Sequence, residues 1–338
     1  CQDADWTLQH WLDKWPTLYD KGRDIYLDIE RPLAVVLAHA QLRGMPFDRD
    51  ILTDMYADDA MEKARLEQMI FHIAGVSWNI NSNQQTAWVL YKKLGLPPQV
   101  ATASFQPSVG ADALYPIARL HPIIPLMIRW SKLNKLESAF YVKLLSSKSD
   151  YIHCRQNQFI ADTGRLTSSE PNMQQNPDKV RQAFIGAPGL MAADESQLEL
   201  RTMARLSGDP GMLAAYMSDP PLDLHQDTME RCGLTERRPA KIVNFLTQYG
   251  GAATNLQLAL WKQGIYWTLR ECQDLLDIFF AVRPRLHPYM DEVIACGVEH
   301  GYSETLEGRR RYVPEIHSSK PDERGHAERQ HQIPVRAA

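Results

Sequence analysis

The chain has 338 residues, of which 44% are hydrophobic and 23% charged, the balance of an ordinary soluble globular protein with two or three subdomains. No apolar run approaches the roughly 20 residues that span a bilayer, so we expect no membrane partner. The formal net charge of −4 argues mildly against binding to nucleic acid, although local clusters of charge matter more than the total. The one dense basic run is Arg-Arg-Arg at 309–311.

The five cysteines are scattered along the chain without the spacing of a metal site. This distribution favours a reducing compartment, without structural disulfides or zinc. The chain starts at Cys1 with neither an initiator methionine nor a signal peptide. We therefore expect a fragment of an intracellular, cytoplasmic protein.

Helical spacing of apolar residues dominates the first half of the chain. Residues 1–20 and 29–42 are predicted to form amphipathic helices, the second ending at Gly44. Two long helical regions, 54–74 and 113–147, are separated by about forty residues. This arrangement predicts an antiparallel arm.

An apolar run at 190–193 ends at Asp194. Such a run predicts a buried strand that presents a carboxylate at its C-terminal end. A divalent metal could bind there, because Mg²⁺ is held by one or two carboxylates together with other oxygen ligands. Asp194 is therefore a candidate for half of a catalytic metal site.

Arg237, Lys241, Phe245 and Tyr249 follow one another at intervals of four residues. Each step drifts by only about 40° around a helix, so the four side chains would form one slanting stripe on a single face. Two cations followed by two aromatics suit a nucleoside triphosphate, with its phosphates on the cations and its sugar or base on Phe245. Spacing alone fits an amphipathic helix with a solvated basic start and a buried aromatic end more often than a nucleotide site.

In the order in which they occur, these segments resemble the motifs of family A DNA polymerases, the bacterial DNA polymerase I type. The eight residues from Asp194, Asp-Glu-Ser-Gln-Leu-Glu-Leu-Arg, match six positions of the family's first catalytic motif, Asp-Tyr-Ser-Gln-Ile-Glu-Leu-Arg. Residues 237–250 resemble the nucleotide-binding fingers helix, except that Leu246 stands where most members have Gly. Residues 163–174 and 301–315 resemble two further family segments, although 163–174 alone would predict only a hydrophilic loop.

The resemblance implies template-directed DNA synthesis by two-metal phosphoryl transfer, in replication or repair. The implied substrates are primer–template DNA and deoxynucleoside triphosphates. Asp194 is then the catalytic residue and binds Mg²⁺ together with the backbone carbonyl of Glu195. The implied nucleotide-binding residues are Gln197, Glu199, His225, Arg237, Lys241, Phe245 and Tyr249. The implied DNA-binding residues are Lys135, Arg165, Asn172, Gln174, Arg309 and Arg310.

The resemblance assigns specific roles to Glu199 and His225. Glu199 matches the family residue that blocks a ribose 2′-hydroxyl, with help from the position of Tyr249, which implies synthesis of DNA rather than RNA. His225 lies in an Asp-Leu-His string whose histidine approaches the phosphates of the incoming nucleotide. An isolated histidine is more often a surface or capping residue.

Both ends of the chain match partial family elements. Asp3 falls at the last metal-binding position of the 3′–5′ exonuclease domain, whose other acids are absent. Residues 328–335 resemble the helix before the strand that carries the second catalytic aspartate, with Arg336 where Gln is usual, and the chain ends at Ala338. We therefore expect a polymerase as the parent protein and a defective active site in this chain, because catalysis needs both aspartates.

The implied fold is α+β and mostly helical, with the right-hand architecture of polymerases. Its expected parts are the end of an exonuclease domain (1–25), a helical thumb and its base (26–150), the first part of an antiparallel-sheet palm (151–222), helical fingers (223–316) and the start of the returning palm (317–338). We expect location at the nucleoid, or in host cytoplasm if a phage encodes the protein. A processivity partner is not indicated.

Three other functions fit the sequence less well. A non-catalytic DNA-binding module derived from a polymerase fits the missing carboxylate but gives no reason to retain the nucleotide-binding set. A metal-dependent nuclease is indicated only by Asp3, and one acid cannot build a two-metal site. Glu199 within its full motif argues against a single-subunit RNA polymerase.

Overall fold

Helices make up most of the computed structural model, which describes residues 2–102, 105–161, 163–185, 189–320 and 327. The predictions for residues 328–336 lie outside these ranges. The fold is α+β and mostly helical, as predicted. The α-helices are α1 (Gln2–Lys14), α2 (Asp20–Ile25), α3 (Arg31–Arg43), α4 (Arg49–Ala74), α5 (Asn83–Ala87), α6 (Ala111–Leu114), α7 (Ile123–Leu136), α8 (Val142–Leu145), α9 (Asp178–Ile185), α10 (Leu198–Ser207), α11 (Pro210–Met217), α12 (Leu224–Arg231), α13 (Arg237–Thr247), α14 (Ala253–Trp261), α15 (Leu269–Ala281) and α16 (Leu286–His300).

Short stretches of tighter or wider helix join several of these elements. The 3₁₀ turns are Trp15–Thr17, Tyr115–Ile117 and Pro314–His317, and the π-helical stretches are Tyr26–Glu30, Trp88–Lys93 and Glu137–Tyr141.

Of the helices within the described ranges, none combines the length and the apolar character that crossing a bilayer requires.

The predicted antiparallel arm is present. Helix α4 packs against α7 and the helical turns that follow it. The two elements are antiparallel, because residues later in one contact residues earlier in the other. Arg129, in the middle of α7, pairs with Glu62 at 2.8 Å, whereas the Tyr141 hydroxyl, further along the chain, donates to Asp59 at 2.6 Å. A closed apolar core between them includes Ile70 and Leu133. The arm is therefore held by its own core.

The strands form three separate two-stranded antiparallel sheets. The pairs are β1 (Met45–Pro46) with β2 (Tyr151–Ile152), β3 (Arg155–Asn157) with β4 (Thr167–Ser169), and β5 (Tyr302–Glu304) with β6 (Arg310–Tyr312). The first pair closes the base of the arm, where Ile152 packs with Phe47 and Leu52. The last pair is a hairpin directly after α16.

Helices α10 to α16 enclose the second large core. Its fully buried members include Val243 of α13, Leu256 of α14 and Phe279 of α15. In α13 the buried residues recur three or four positions apart, as the inward face of an amphipathic helix must. This packing fixes which side of α13 faces solvent.

The prediction of a buried strand at 190–193 was wrong. Residues 190–195 have no regular secondary structure, Met191 is 85% exposed, and Asp194 is exposed as well. A strand needs a neighbour that accepts its backbone hydrogen bonds, and none of the described strands pairs with this segment. An apolar run alone does not supply such a neighbour.

Candidate functional site

Three side chains of the predicted stripe lie along the accessible side of α13. Arg237 and Lys241 are exposed, and Phe245 is 38% exposed. The Lys241 ammonium lies 5.9 Å from the centroid of the Phe245 ring, close enough for a cation–π contact. Two cations and an aromatic surface are thus available to one ligand.

Tyr249 lies beyond the end of the helix, so the prediction of one stripe on one helix was wrong for this residue. Helix α13 ends at Thr247, and the Tyr249 amide donates to the Leu246 carbonyl at 3.0 Å, three residues back. Gly250 then adopts a left-handed conformation with φ +63°, which stops the helix. The turn directs Tyr249 toward α10.

Asp223 connects α13 to two other elements. Its carboxylate caps α12 by accepting from the His225 amide at 2.9 Å, and it also accepts from Gln197 Nε2 at 2.9 Å. Arg237 Nε donates to the other oxygen at 2.9 Å. Partial burial opposes ionisation of Asp223, but the hydrogen bonds from Arg237 and the His225 amide outweigh it, and its pKa lies below the ordinary value. Asp223 is therefore an ionised anchor for Arg237.

Helix α10 begins with a residue in an uncommon conformation. Gln197 occupies the N-cap with φ +58° and ψ +35°, in the left-handed region that non-glycine residues rarely adopt. Its amide is held on both sides, because the Tyr216 hydroxyl donates to Oε1 at 3.0 Å and Nε2 donates to Asp223. These bonds fix the position of Glu199 two residues later.

Glu199 receives hydrogen bonds from two segments. The Tyr249 hydroxyl donates to Oε2 at 2.9 Å, and Arg165 forms an ion pair with Oε1. Three predicted residues from 163–174, α10 and the end of α13 therefore meet at one carboxylate. This link brings the predicted DNA-contacting segment next to the predicted nucleotide-binding helix.

His225 is buried, with 4% of its surface exposed, which differs from the surface position that is usual for an isolated histidine. Its ring lies 5.6 Å from the Phe245 ring, and Asn244 Nδ2 lies 3.1 Å from Nδ1. Burial lowers the pKa of the imidazole, and the positive charges of Arg237 and Lys241 lower it further against the opposing effect of Asp223. The neutral imidazole is therefore the favoured form.

Asp194 and Glu195 are exposed in the irregular segment before α10. Among the described residues, no group of three or more histidine, cysteine, aspartate or glutamate side chains is arranged to hold a metal ion. One carboxylate and one backbone carbonyl can supply part of an octahedral Mg²⁺ site but not two bridged metal positions. The described residues thus do not by themselves build a two-metal centre, which the resemblance implies only for the parent protein.

The other predicted DNA-binding residues are dispersed. Lys135 is exposed near the end of α7. Asn172 and Gln174 stabilise a turn, in which the Gln174 amide donates to Asn172 Oδ1 at 3.1 Å and Gln174 Nε2 donates to the Leu166 carbonyl at 2.9 Å. Asp3 is exposed in the first turn of α1.

Arg309 and Arg310 contact protein groups around the β5–β6 hairpin. Arg309 pairs with Glu30, and Arg310 pairs with Glu304 at 2.8 Å. The Arg310 guanidinium lies 4.4 Å from two tyrosine rings, those of Tyr19 and Tyr302. Each arginine keeps 30% of its side chain exposed, which leaves one face available to a further partner.

Leu246, the departure from the family pattern, packs over Gly251. A Cβ atom at Gly251 would lie 2.3 Å from Leu246 Cγ, so a larger residue at position 251 would collide with this side chain. Leu246 also borders a cavity of about 480 Å³ beside α13, together with Lys241, Phe245 and Tyr249. Its bulk therefore narrows the space next to the predicted nucleotide site.

Several residues at this site were missed from the sequence. Asp223 enters the sequence prediction only as part of the Asp-Leu-His string, although its place just before α12 is typical of an N-cap. Asn244 and Thr228 are completely buried, and a polar residue on the apolar face of an amphipathic helix is the signal that could have identified Asn244. Nothing in the sequence pairs Arg283 with these residues.

Comparisons with known proteins agree on one family. The family model described as DNA polymerase family A matches residues 49–332. The chain is 35% identical over 335 residues to a thermostable DNA polymerase I from Thermus filiformis, covering 93% of this chain and 39% of that protein. It is also 35% identical over 350 residues to the DNA polymerase I of Pseudomonas aeruginosa, covering 97% and 38%. The chain thus spans about two fifths of the length of these curated relatives.

Among solved structures, the fold is similar to the POL domain of Pol1 from M. smegmatis in complex with DNA primer-template and dNTP. The TM-score is 0.84 at 28% identity, with 94% of this chain and 58% of that chain covered. The order of the motifs, the family match over most of the chain and the shared fold agree. The chain belongs to DNA polymerase family A.

Proposed function

We propose that this chain belongs to an enzyme that adds deoxynucleoside triphosphates to a primer 3′-hydroxyl under the direction of a template. The observation that carries the proposal is the meeting of Arg237, Lys241 and Phe245 on one side of α13 with the Glu199–Tyr249 pair next to it. The similarity to a polymerase domain whose structure contains primer-template DNA and dNTP supports the same substrates.

The two cations would hold the triphosphate. Arg237 carries planar donors that match phosphate oxygens, and Lys241 supplies a second positive charge one turn away. Phe245, one further turn along, would stack on the sugar or base. The existing Arg237–Asp223 ion pair keeps the guanidinium ordered before a phosphate arrives, so less conformational entropy is lost on binding.

Glu199 and Tyr249 would select the sugar. The hydrogen bond between them holds the carboxylate in one orientation at the end of α13. A ribose 2′-hydroxyl placed against this pair would collide with it and disturb a partly buried carboxylate, whereas a deoxyribose would not. Gln197 contributes by fixing the start of α10.

Primer–template DNA would contact the arm and the turn before α9. Arg165, Asn172 and Gln174 offer donors suited to the minor groove, whose acceptors are largely the same for all base pairs. Lys135, Arg309 and Arg310 would neutralise backbone phosphates.

The proposed subdomains of the chain are the end of an exonuclease domain at 1–25, thumb at 26–150, palm at 151–222, fingers at 223–316 and returning palm from 317.

Asp194 would contribute one carboxylate to a divalent-metal site, with Mg²⁺ as the proposed ion. When bound, the ion would lower the barrier to phosphoryl transfer by stabilising negative charge on phosphate oxygens. The Glu195 backbone carbonyl is a second candidate ligand. Because no group of three or more metal-binding side chains is assembled among the described residues, we expect weak or no catalysis unless another carboxylate is supplied.

Primer extension tests the proposal. The assay compares the chain, its Asp194→Ala variant and an extended version that adds a carboxylate-bearing palm segment from a curated relative. Extension by the longer version that is lost on Asp194→Ala would support a polymerase. Inactivity of every version with intact DNA binding would contradict it and favour a non-catalytic DNA-binding module, the runner-up function.

A further inference from the structure

A buried chain of polar side chains runs behind α13 and ends at His225. Arg283, just after the end of α15, is 1% exposed and pairs with Asp227 at 3.0 Å. The same Arg283 nitrogen donates to the Thr228 hydroxyl at 2.7 Å. Asn244 Nδ2 lies 2.9 Å from that hydroxyl and 3.1 Å from His225 Nδ1. Three helices are thus joined by one line of hydrogen bonds.

The direction of these bonds follows from what each group can donate. Arginine only donates, and a backbone carbonyl only accepts. The Thr228 hydroxyl lies 2.7 Å from the Leu224 carbonyl and 3.1 Å from Asn244 Oδ1. The shorter contact takes its single proton, so its oxygen accepts from both Arg283 and Asn244 Nδ2. Asn244 therefore turns its NH₂ group toward Thr228 and gives its second N–H to His225. Nδ1 of His225 must then be an acceptor, without a proton.

From this geometry we infer that Arg283, Thr228 and Asn244 act as positioning residues that fix His225 as the neutral tautomer with its proton on Nε2. The inference rests on the proposed function only in assigning the ligand, the polyphosphate of a deoxynucleoside triphosphate. Nε2 has no hydrogen-bond partner among the described residues, so a proton there remains available to a ligand. His225 would thus give the phosphates a directed donor and no charge.

The charges that face His225 favour this arrangement. Arg237 and Lys241 approach from α13, and the negative charge of Asp223, at the N-cap of α12, opposes them. Asp227 faces Arg283 and Arg231 rather than the imidazole. A third cation beside Arg237 and Lys241 would be repelled, whereas a neutral N–H adds a hydrogen bond without that cost.

The tautomer can be observed without nucleotide by nuclear magnetic resonance of the chain labelled with ¹⁵N in its histidine rings. The His225 signals are assigned by their loss in His225→Gln. We expect an unprotonated, pyridine-type Nδ1 and a protonated, pyrrole-type Nε2 at neutral pH. Asn244→Asp replaces the donor by an acceptor of nearly the same shape, and it should move the proton to Nδ1 or give the imidazolium.

Arg283 is tested by a matched pair. Arg283→Met should allow the Thr228 hydroxyl to reorient and give a mixture of both tautomers, and Arg283→Lys, which retains a donor, should restore the single form. Wild-type His225 with a protonated Nδ1 would overturn the inference, as would an unchanged tautomer in Asn244→Asp. An unchanged tautomer in folded Arg283→Met would remove Arg283 from the chain of positioning residues.

Titration with dATP and Mg²⁺ separates this inference from the proposed function. We expect the Nε2 signal of His225 to shift on binding, and Asn244→Asp to bind about tenfold more weakly. Binding that leaves Nε2 unchanged would overturn its role toward phosphate. Failure of dATP to bind wild-type chain would contradict the nucleotide site itself, while the tautomer measured without nucleotide would still stand.

Discussion

The helical cluster of α10, α12 and α13 and the irregular segment before α10 carry the two halves of the candidate site, and they differ in how they are built. In the cluster, Asp223 and Glu199 each receive hydrogen bonds from two or more segments. Asp194 lies only a few residues before Glu199 in sequence, but it is exposed in a segment without regular structure. Helices satisfy their own backbone hydrogen bonds, whereas a strand depends on a neighbour. The proposed nucleotide-binding side is therefore built on helices with internal backbone hydrogen bonds, whereas the segment of Asp194 has no strand partner among the described residues.

The strongest test of this contrast is Asp194→Ala in the extended version of the chain. We expect primer extension to fall by on the order of a thousandfold or more, because a metal ligand at the reacting phosphate is lost. Binding of the triphosphate should change little, since Arg237 and Lys241 remain. Glu195→Ala is the matched control: it preserves the backbone carbonyl, so its rate should stay close to wild type. Equal losses in both variants would argue against a specific role for Asp194.

The second test removes each cation of α13 in turn. Arg237→Ala and Lys241→Ala should each weaken triphosphate binding by about ten- to a hundredfold, because a hydrogen bond between charged groups contributes about 1.5–3 kcal/mol. Binding can be measured by calorimetry with the chain itself. Arg270→Ala, an exposed arginine at the start of α15, should have no effect; a similar loss there would indicate attraction by overall charge only.

A smaller effect is expected at the sugar-selecting pair. Tyr249→Phe removes the hydroxyl that donates to Glu199 and frees the carboxylate to move. We expect incorporation of ribonucleotides relative to deoxyribonucleotides to rise about fivefold, the equivalent of one hydrogen bond of about 1 kcal/mol. Tyr266→Phe, at a tyrosine outside the site, should leave the ratio unchanged. An unchanged ratio in Tyr249→Phe would mean that Glu199 is held in place without it.

The smallest effect is a dependence of stability on pH. Burial lowers the pKa of His225 below its ordinary value of 6.5, so the unfolded chain binds a proton more readily than the folded one. The free energy of unfolding should therefore fall as the pH decreases from about 6.5 through the lowered pKa. Denaturant titrations of wild type and His225→Gln between neutral and mildly acidic pH would measure the difference. A wild-type slope no steeper than that of the variant would contradict a buried neutral imidazole.

The arm and the face of α13 were predicted correctly because both follow from short-range spacing. The apolar residues of 54–74 recur at helical intervals, and Gly44 ends the helix before β1 as predicted. The same reasoning failed at 190–193, where an apolar run was interpreted as a buried strand. It also failed at Tyr249, because α13 ends at Thr247, two residues earlier than the spacing suggested.

The sequence by itself determined the family, the helical composition and which residues carry charge and aromatic surface on α13. These properties depend on residue identity and on spacings of three to four residues, and both can be read directly from the linear sequence. Only the tertiary structure decided that Glu199 joins Arg165 to Tyr249 and that Arg283 is linked to His225 through Thr228 and Asn244. Those partners are 16 to 55 residues apart in the chain, and they meet only because the helices pack around a shared apolar core.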